Sequence, residues 1–244
     1  MEPLLSLKNI DISFGGVHAL QGVNFDVFRG EILGLIGPNG SGKSTCVNVI
    51  SGTYKQDIGD LYFEGEKLLK KESMNARVFK GISRTFQTPK PFVNLNVYDN
   101  IYSVALQLRS YSDARQKTNE ILEETGLAPF SEEPAVKLPI EKRKWLDLAR
   151  ILAMDPKLIM MDEVMAGLNP SEMDKSLGIV RELNKKGITV LFIEHVMKAV
   201  TQVCDRVVVL KEGKVLCSGR PYEILDRQDV IEAYLGRSHG NVNA

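Results

Sequence analysis

The chain has 244 residues, 43% of them hydrophobic and 25% charged, which suits one globular domain or a core with a smaller insertion. Lys plus Arg and Asp plus Glu each total 31, so the formal net charge is zero and no basic surplus points to nucleic acid. No apolar run approaches the roughly 18 residues of a membrane span, and the opening MEPLLSLKNID lacks the pattern of a secretory signal.

Short β-rich runs open the chain: Leu4 to Ile10, Val23 to Phe28 and Glu31 to Ile36. The third ends in a glycine-rich loop, and a helical pattern follows from Lys43 to Ile50. A strand is expected at Leu61 to Phe63, between turns at Gly59 and Gly65. From about Thr88 to Pro156 helical periodicity takes over, as in SDARQKTNEILEETG and EKRKWLDLARILAM. Strand and helix then alternate through KLIMMD, SEMDKSLGIVRELNKKG, ITVLFIE and HVMKAVTQVC. VVVLKEGKVLCSG predicts a hairpin turning at Glu212-Gly213. A short helix is expected over Asp229 to Leu235, with a loose tail after it. This order predicts a mostly parallel α/β sheet. The expected divisions are 1–87, a helical insertion at 88–156, 157–236 and a flexible 237–244. Cys46, Cys204 and Cys217 are scattered, show no zinc or disulfide spacing, and read as small apolar residues in a reducing compartment.

The run Gly37-Pro38-Asn39-Gly40-Ser41-Gly42-Lys43-Ser44-Thr45 fits G-x-x-x-x-G-K-[ST] between a strand and a helix, the context that motif requires. Glycines let successive backbone N–H groups face phosphate oxygens, and the helix N-terminus adds partial positive charge. Lys43 is expected on the β- and γ-phosphates, Ser44 on magnesium and Thr45 on the α-phosphate. A second candidate is the end of the apolar strand LIMMD: Asp162 and Glu163 lie where α/β sheets place their ligands. Asp162 reads as a magnesium ligand through water, and Glu163 as the group that polarises an attacking water.

Together these motifs resemble the ATP-binding cassette (ABC) family over almost the whole chain. The resemblance implies a P-loop NTPase core with a mostly parallel sheet, an N-terminal antiparallel β part and a helical subdomain. It also implies an ATPase using ATP and Mg2+. Phe14 in DISFGGVHAL matches the family's adenine-stacking aromatic. Gln87 in GISRTFQ matches the glutamine that senses the γ-phosphate, ligates the metal and contacts the membrane partner, and His195 in LFIEH the switch histidine. Ala166-Gly167-Leu168-Asn169 matches the loop that crosses to the opposite subunit.

Cassettes of this family pair head to tail, each ATP lying between one chain's phosphate loop and the other's Leu-Ser-Gly-Gly-Gln signature. Here that run is Leu138-Pro139-Ile140-Glu141-Lys142. Pro139 lacks both hydroxyl and N–H, Ile140 replaces a glycine, and Glu141 sets negative charge near a triphosphate. Weak hydrolysis is expected in the site this run helps form. The expected partner is therefore a related but different cassette, with self-pairing as the alternative. The basic run Glu141 to Lys144 reads as a solvated helix face.

FGGVHAL, GISRTFQTPKPF, DEVMAGLNP and VIEAYLG resemble cassettes of importers for branched-chain or other hydrophobic amino acids. The kinship implies two integral-membrane permease subunits, an extracytoplasmic solute-binding protein acting indirectly, and a peripheral position on the cytoplasmic face of the inner membrane. A soluble cassette ATPase acting on DNA or ribosomes is the first competing expectation. The second is a non-hydrolysing subunit.

Overall fold

The computed structural model describes residues 2–85 and 89–235. The chain opens with β1 (Pro3–Phe14), β2 (Val17–Phe28) and β3 (Ile32–Ile36), then α1 (Lys43–Ser51). There follow β4 (Ile58–Phe63), β5 (Glu66–Leu68), α2 (Met74–Lys80) and β6 (Ile82–Arg84). A helical stretch holds α3 (Val97–Ala105), α4 (Tyr111–Glu124), two single 3-10 turns and α5 (Ile140–Leu152). Next come β7 (Leu158–Asp162), α6 (Pro170–Lys185), β8 (Thr189–Ile193) and α7 (Met197–Val203). The chain closes with the hairpin β9 (Arg206–Lys211) and β10 (Lys214–Gly219), then α8 (Pro221–Leu225) and α9 (Gln228–Leu235). Among the described residues no helix is long and apolar enough to cross a membrane.

These elements form two compact units. One holds the described residues up to Glu72 and from Leu191 onward; the other is Ser73–Val190, so the division falls within β8.

In the first unit an antiparallel sheet runs in the order β2-β1-β4-β5. β1 and β2 are longer than the sequence predicts. Their register shifts between Leu7 and Ile10 and again on either side of Ile12. Such bulges break the period of two by which a strand is read. Separately, β9 pairs in parallel with β3 and antiparallel with β10. All five residues of β3 are buried, as a strand covered on both faces requires. The β9–β10 turn is the expected one: Glu212 (φ 50°) and Gly213 (φ 77°) both adopt the left-handed backbone of a tight two-residue hairpin. Arg206 anchors this region, donating to Asp26 O at 2.6 Å and to Glu31 Oε1 at 2.8 Å. Burial still holds the Glu31 carboxyl above its ordinary pKa.

In the second unit β6 and β7 run parallel, Ile82 opposite Leu158 and Arg84 opposite Met160. Helix starts follow their capping residues. Asn96 Oδ1 accepts from Asp99 N at 2.6 Å, and Asn169 and Glu172 form a reciprocal capping box on α6. The short α2, absent from the sequence reading, starts at Ser73, whose Oγ accepts from Ala76 N at 3.3 Å. Seven residues carry too little periodicity to announce a helix, but the cap is readable afterwards. The fully buried Asn100 exchanges hydrogen bonds with the Phe92 backbone at 2.8 and 3.0 Å, fixing the segment that leads into α3.

Candidate active site

The first unit carries the phosphate loop. β3 delivers the chain at Ile36, and α1 begins at Lys43. Gly37, Gly40 and Gly42 all take positive φ, at 149°, 76° and 104°. Their reasons differ. A Cβ on Gly37 would lie 2.2 Å from Leu210 O, and one on Gly42 2.7 Å from Ala19 O. A Cβ on Gly40 would meet nothing within 4 Å, so that glycine serves conformation alone. Gly42 caps α1 with no side-chain hydrogen bond, and the first turn of such a helix is where backbone N–H groups meet anions. Asn39 and Ser44 are exposed and Thr45 is half-buried.

Two side chains here are arranged for a guest. The ammonium of Lys43 bends back over its own loop, donating to Gly37 O at 2.7 Å and Pro38 O at 2.9 Å. Ser41 Oγ is buried without a hydrogen-bond partner. Neutral carbonyls are weaker partners for an ammonium than phosphate oxygens, so Lys43 gains by exchanging them.

The loop is braced from behind. Gly213 N donates to Ser41 O at 3.0 Å, Gln21 N to Gly213 O at 2.8 Å, and Gln21 Nε2 to Glu212 O at 3.0 Å. The β9–β10 turn thus ties the loop to β2. Burial pushes the hydroxyl of Tyr234 on α9 up to about 12, with the nearby Gly37 backbone working against that rise. No motif marks Tyr234 or Gln21.

Phe14 ends β1, 44% exposed, with its ring edge-on to Tyr54 at 5.1 Å between centroids. An accessible aromatic face is what adenine stacking requires. His195 is exposed just beyond β8.

The second unit carries the acids. β7 is buried throughout and ends at Asp162. The Asp162 carboxylate lies 3.6 Å from Arg84 on β6, with both side chains largely covered. Burial pulls the Arg84 guanidinium below its usual pKa, while the Asp162 charge works against that shift. Thr85 Oγ1 accepts from Asp162 N at 3.1 Å. Glu163, half-buried, has φ 51°, a left-handed backbone it shares with Glu64 and Glu212, although each of those two precedes a glycine in a hairpin turn and Glu163 does not. Strain of this kind clusters at functional sites and costs on the order of 1–3 kcal/mol.

The signature run also lies in this unit. Pro139 is extended (φ −55°, ψ 155°) and caps α5 without a side-chain hydrogen bond. Ile140 is 60% exposed. Glu141 lies 3.6 Å from Lys142, whose ammonium stands over the Phe130 ring. Arg143 donates to Leu138 O at 2.8 Å and to Val136 O at 2.5 Å. The stretch expected as a solvated face is half-buried, because these cations fold back onto carbonyls and a ring. Lys144 Nζ donates to Val164 O at 3.2 Å and Ala166 O at 2.6 Å, a link no sequence signal announces.

Gln87, assigned to nucleotide and metal, lies outside the described residues, as does the tail from 236. Cys46 and Cys204 are buried, and burial raises both thiols, Cys46 to about 12.

Comparison with known proteins agrees with this geometry. Residues 20–166 match the family model described as ABC transporter. The chain is 34% identical to the high-affinity branched-chain amino acid transport ATP-binding protein BraF of Pseudomonas aeruginosa, over 97% of this chain and 99% of that protein. The ADP conformation of MJ1267, an ATP-binding cassette of an ABC transporter, superposes with a TM-score of 0.87 at 33% identity, covering 97% of this chain and 100% of that one. The dimeric post-hydrolysis state of the cassette MJ0796, bound to ADP and Pi, matches with a TM-score of 0.78 at 25% identity, over 89% of this chain and 98% of that one. With its phosphate loop, its acidic strand end and these relatives, the chain belongs to the ABC transporter family, as one of its ATP-binding cassettes.

Proposed function

We propose that this cassette is the Mg2+-dependent ATPase of an importer for branched-chain or other hydrophobic amino acids. One observation carries the ATPase reading: the glycine cradle of Gly37, Gly40 and Gly42, with Lys43 resting on carbonyls and Ser41 Oγ unpartnered. The name of BraF and the runs FGGVHAL and VIEAYLG support the cargo class.

The backbone of Gly37, Asn39, Gly40, Ser41 and Gly42 receives the phosphates. Lys43 moves to the β- and γ-phosphates, and Thr45 holds the α-phosphate. Phe14 stacks on adenine. Glu163 orients and polarises the attacking water, and His195 and Gln87 sense the γ-phosphate.

The donors fit Mg2+. Among the described residues no cluster of three or more His, Cys, Asp or Glu is placed to hold a metal. Mg2+ needs no such cage, since it binds through substrate phosphates and one or two protein oxygens. The Ser44 hydroxyl and the Asp162 carboxylate, with Gln87, are the groups that would supply those oxygens, and the charge they would hold in place would offset that of the phosphates.

The functional unit is a pair of cassettes on the cytoplasmic face of the membrane, joined to two permease subunits that an extracytoplasmic binding protein supplies. The dimer of MJ0796 supports pairing as such. Pro139, Ile140 and Glu141 support pairing with a different cassette, because this signature offers a partner's ATP neither hydroxyl nor glycine N–H groups.

ATPase assays on the complex purified with the chain test this reading, alongside leucine-dependent uptake in vesicles. Turnover that Glu163→Gln abolishes, coupled to leucine entry, is the expected result. Turnover equal to that of Glu163→Gln would leave a non-hydrolysing subunit, and brisk turnover that leucine never accompanies would overturn the cargo assignment.

A further inference from the structure

Loop 163–169 begins with the strained Glu163 and ends at the cap of α6. Its internal hydrogen bonds are long: Ala166 N to Glu163 O and Leu168 N to Met165 O, both 3.2 Å. The shorter bond at 2.6 Å comes from outside the loop, from Lys144 Nζ to Ala166 O, with a second to Val164 O. Val164 directly follows Glu163, so that bond holds the Val164–Met165 peptide, the next one beyond the Glu163–Val164 link, and limits how the backbone at Glu163 can turn. The surroundings raise the value of this contact. Trp145, Leu148, Met161 and Leu168 line a small, mostly apolar cavity beside Lys144, with Thr85 and Glu141 also on its wall, and the apolar part strengthens a charge–dipole bond by excluding water.

Lys144 sits in the second turn of α5, the helix whose first turn carries the altered signature. A left-handed glutamate persists only where its surroundings over-determine it. We propose that Lys144 is a positioning residue. By donating to Val164 O and Ala166 O it holds Glu163 in its left-handed conformation and couples that glutamate to α5. In the head-to-tail pairing proposed above, where α5 presents its start to the opposite cassette's ATP, a shift of α5 reaches this chain's own Glu163 through the Lys144 ammonium. The inference rests on Glu163 as the residue that polarises water.

The test uses the complex purified with the chain, comparing wild type, Glu163→Gln, Lys144→Met and Lys144→Arg. In Lys144→Met, kcat should fall roughly 10- to 100-fold, the effect of misplacing a catalytic group by about an ångström. The KM for ATP and the melting temperature should stay near wild type, because the phosphate loop lies elsewhere in the chain. Lys144→Arg, which keeps the charge and the donors, should recover most of kcat. A Met variant as fast as wild type overturns the proposal. So does one that loses ATP affinity or folding together with kcat, or one that Arg fails to rescue. If wild type itself is no faster than Glu163→Gln, the role of Glu163 falls, and this inference with it. A fast wild type matched by Lys144→Met removes only the role of Lys144.

Discussion

The phosphate loop and the start of α5, which the proposed pairing would turn toward a partner's ATP, are two helix N-termini made in opposite ways. At α1 the approach runs through Gly37, Gly40 and Gly42, all at positive φ, and Lys43 stands ready. At α5 it runs through Pro139, Ile140 and Glu141, with no side-chain cap and a carboxylate in the first turn. The comparison teaches that a helix dipole alone does not make an ATP site. Close approach needs residues without side chains in the way, and the local charge must have the right sign. The start of α1 meets both conditions; the start of α5 has the helix, but Ile140 and Glu141 in its first turn.

The largest effect should come from the acid rather than the loop. Glu163→Gln should lower kcat in the complex by roughly 100- to 10,000-fold while ATP binding survives. Rapid-quench turnover alongside fluorescent-nucleotide titration separates the two. Lys43→Ala should instead weaken ATP binding about 100-fold, near 3 kcal/mol, because it removes charge-assisted bonds to phosphate. If Lys43→Ala bound ATP like wild type, the contrast between the two helix starts would lose its basis.

The glycines sharpen the contrast within the loop. Gly37→Ala forces a Cβ to within 2.2 Å of Leu210 O and should destabilise the chain by about 3 kcal/mol, seen as a lower Tm. Gly40→Ala meets only the cost of its positive φ, about 1 kcal/mol. Equal costs would show that the brace from β9 is not what demands Gly37. The mildest effect is chemical. Burial raises all three thiols, but only Cys217 is half-exposed, so neutral-pH maleimide should label Cys217 alone, and slowly, until the chain is unfolded, as intact-mass spectrometry would show.

What was legible follows the reach of each signal. Gly37 to Thr45 is contiguous, and its chemistry follows from spacing, so the loop could be read directly. The acidic end of β7 and the turn at Glu212-Gly213 were legible for the same reason. β1 and β2 were read short because bulges near Ile10 and Ile12 disturb their alternation. Tyr234, Gln21, Arg84 and Lys144 were not legible at all. Each acts through a backbone or charge distant in sequence: Gly37 for Tyr234, Gly213 for Gln21, Asp162 for Arg84, Ala166 for Lys144. Such contacts leave no period or motif. The solvated face expected at Glu141 to Lys144 failed for that reason too, since charge composition does not say where a long side chain folds back.

The most direct test is ATP turnover by the purified chain over a wide range of protein concentration. It compares wild type, Glu163→Gln, and a variant restored to Ser, Gly, Gly and Gln at positions 139 to 142. Wild type should stay at the level of Glu163→Gln throughout, while the restored variant should rise above it with a rate per chain that climbs with concentration. A wild-type rate that itself climbs with concentration, well above Glu163→Gln, would contradict it: the chain would then work as a pair of identical cassettes, and its altered signature would be competent.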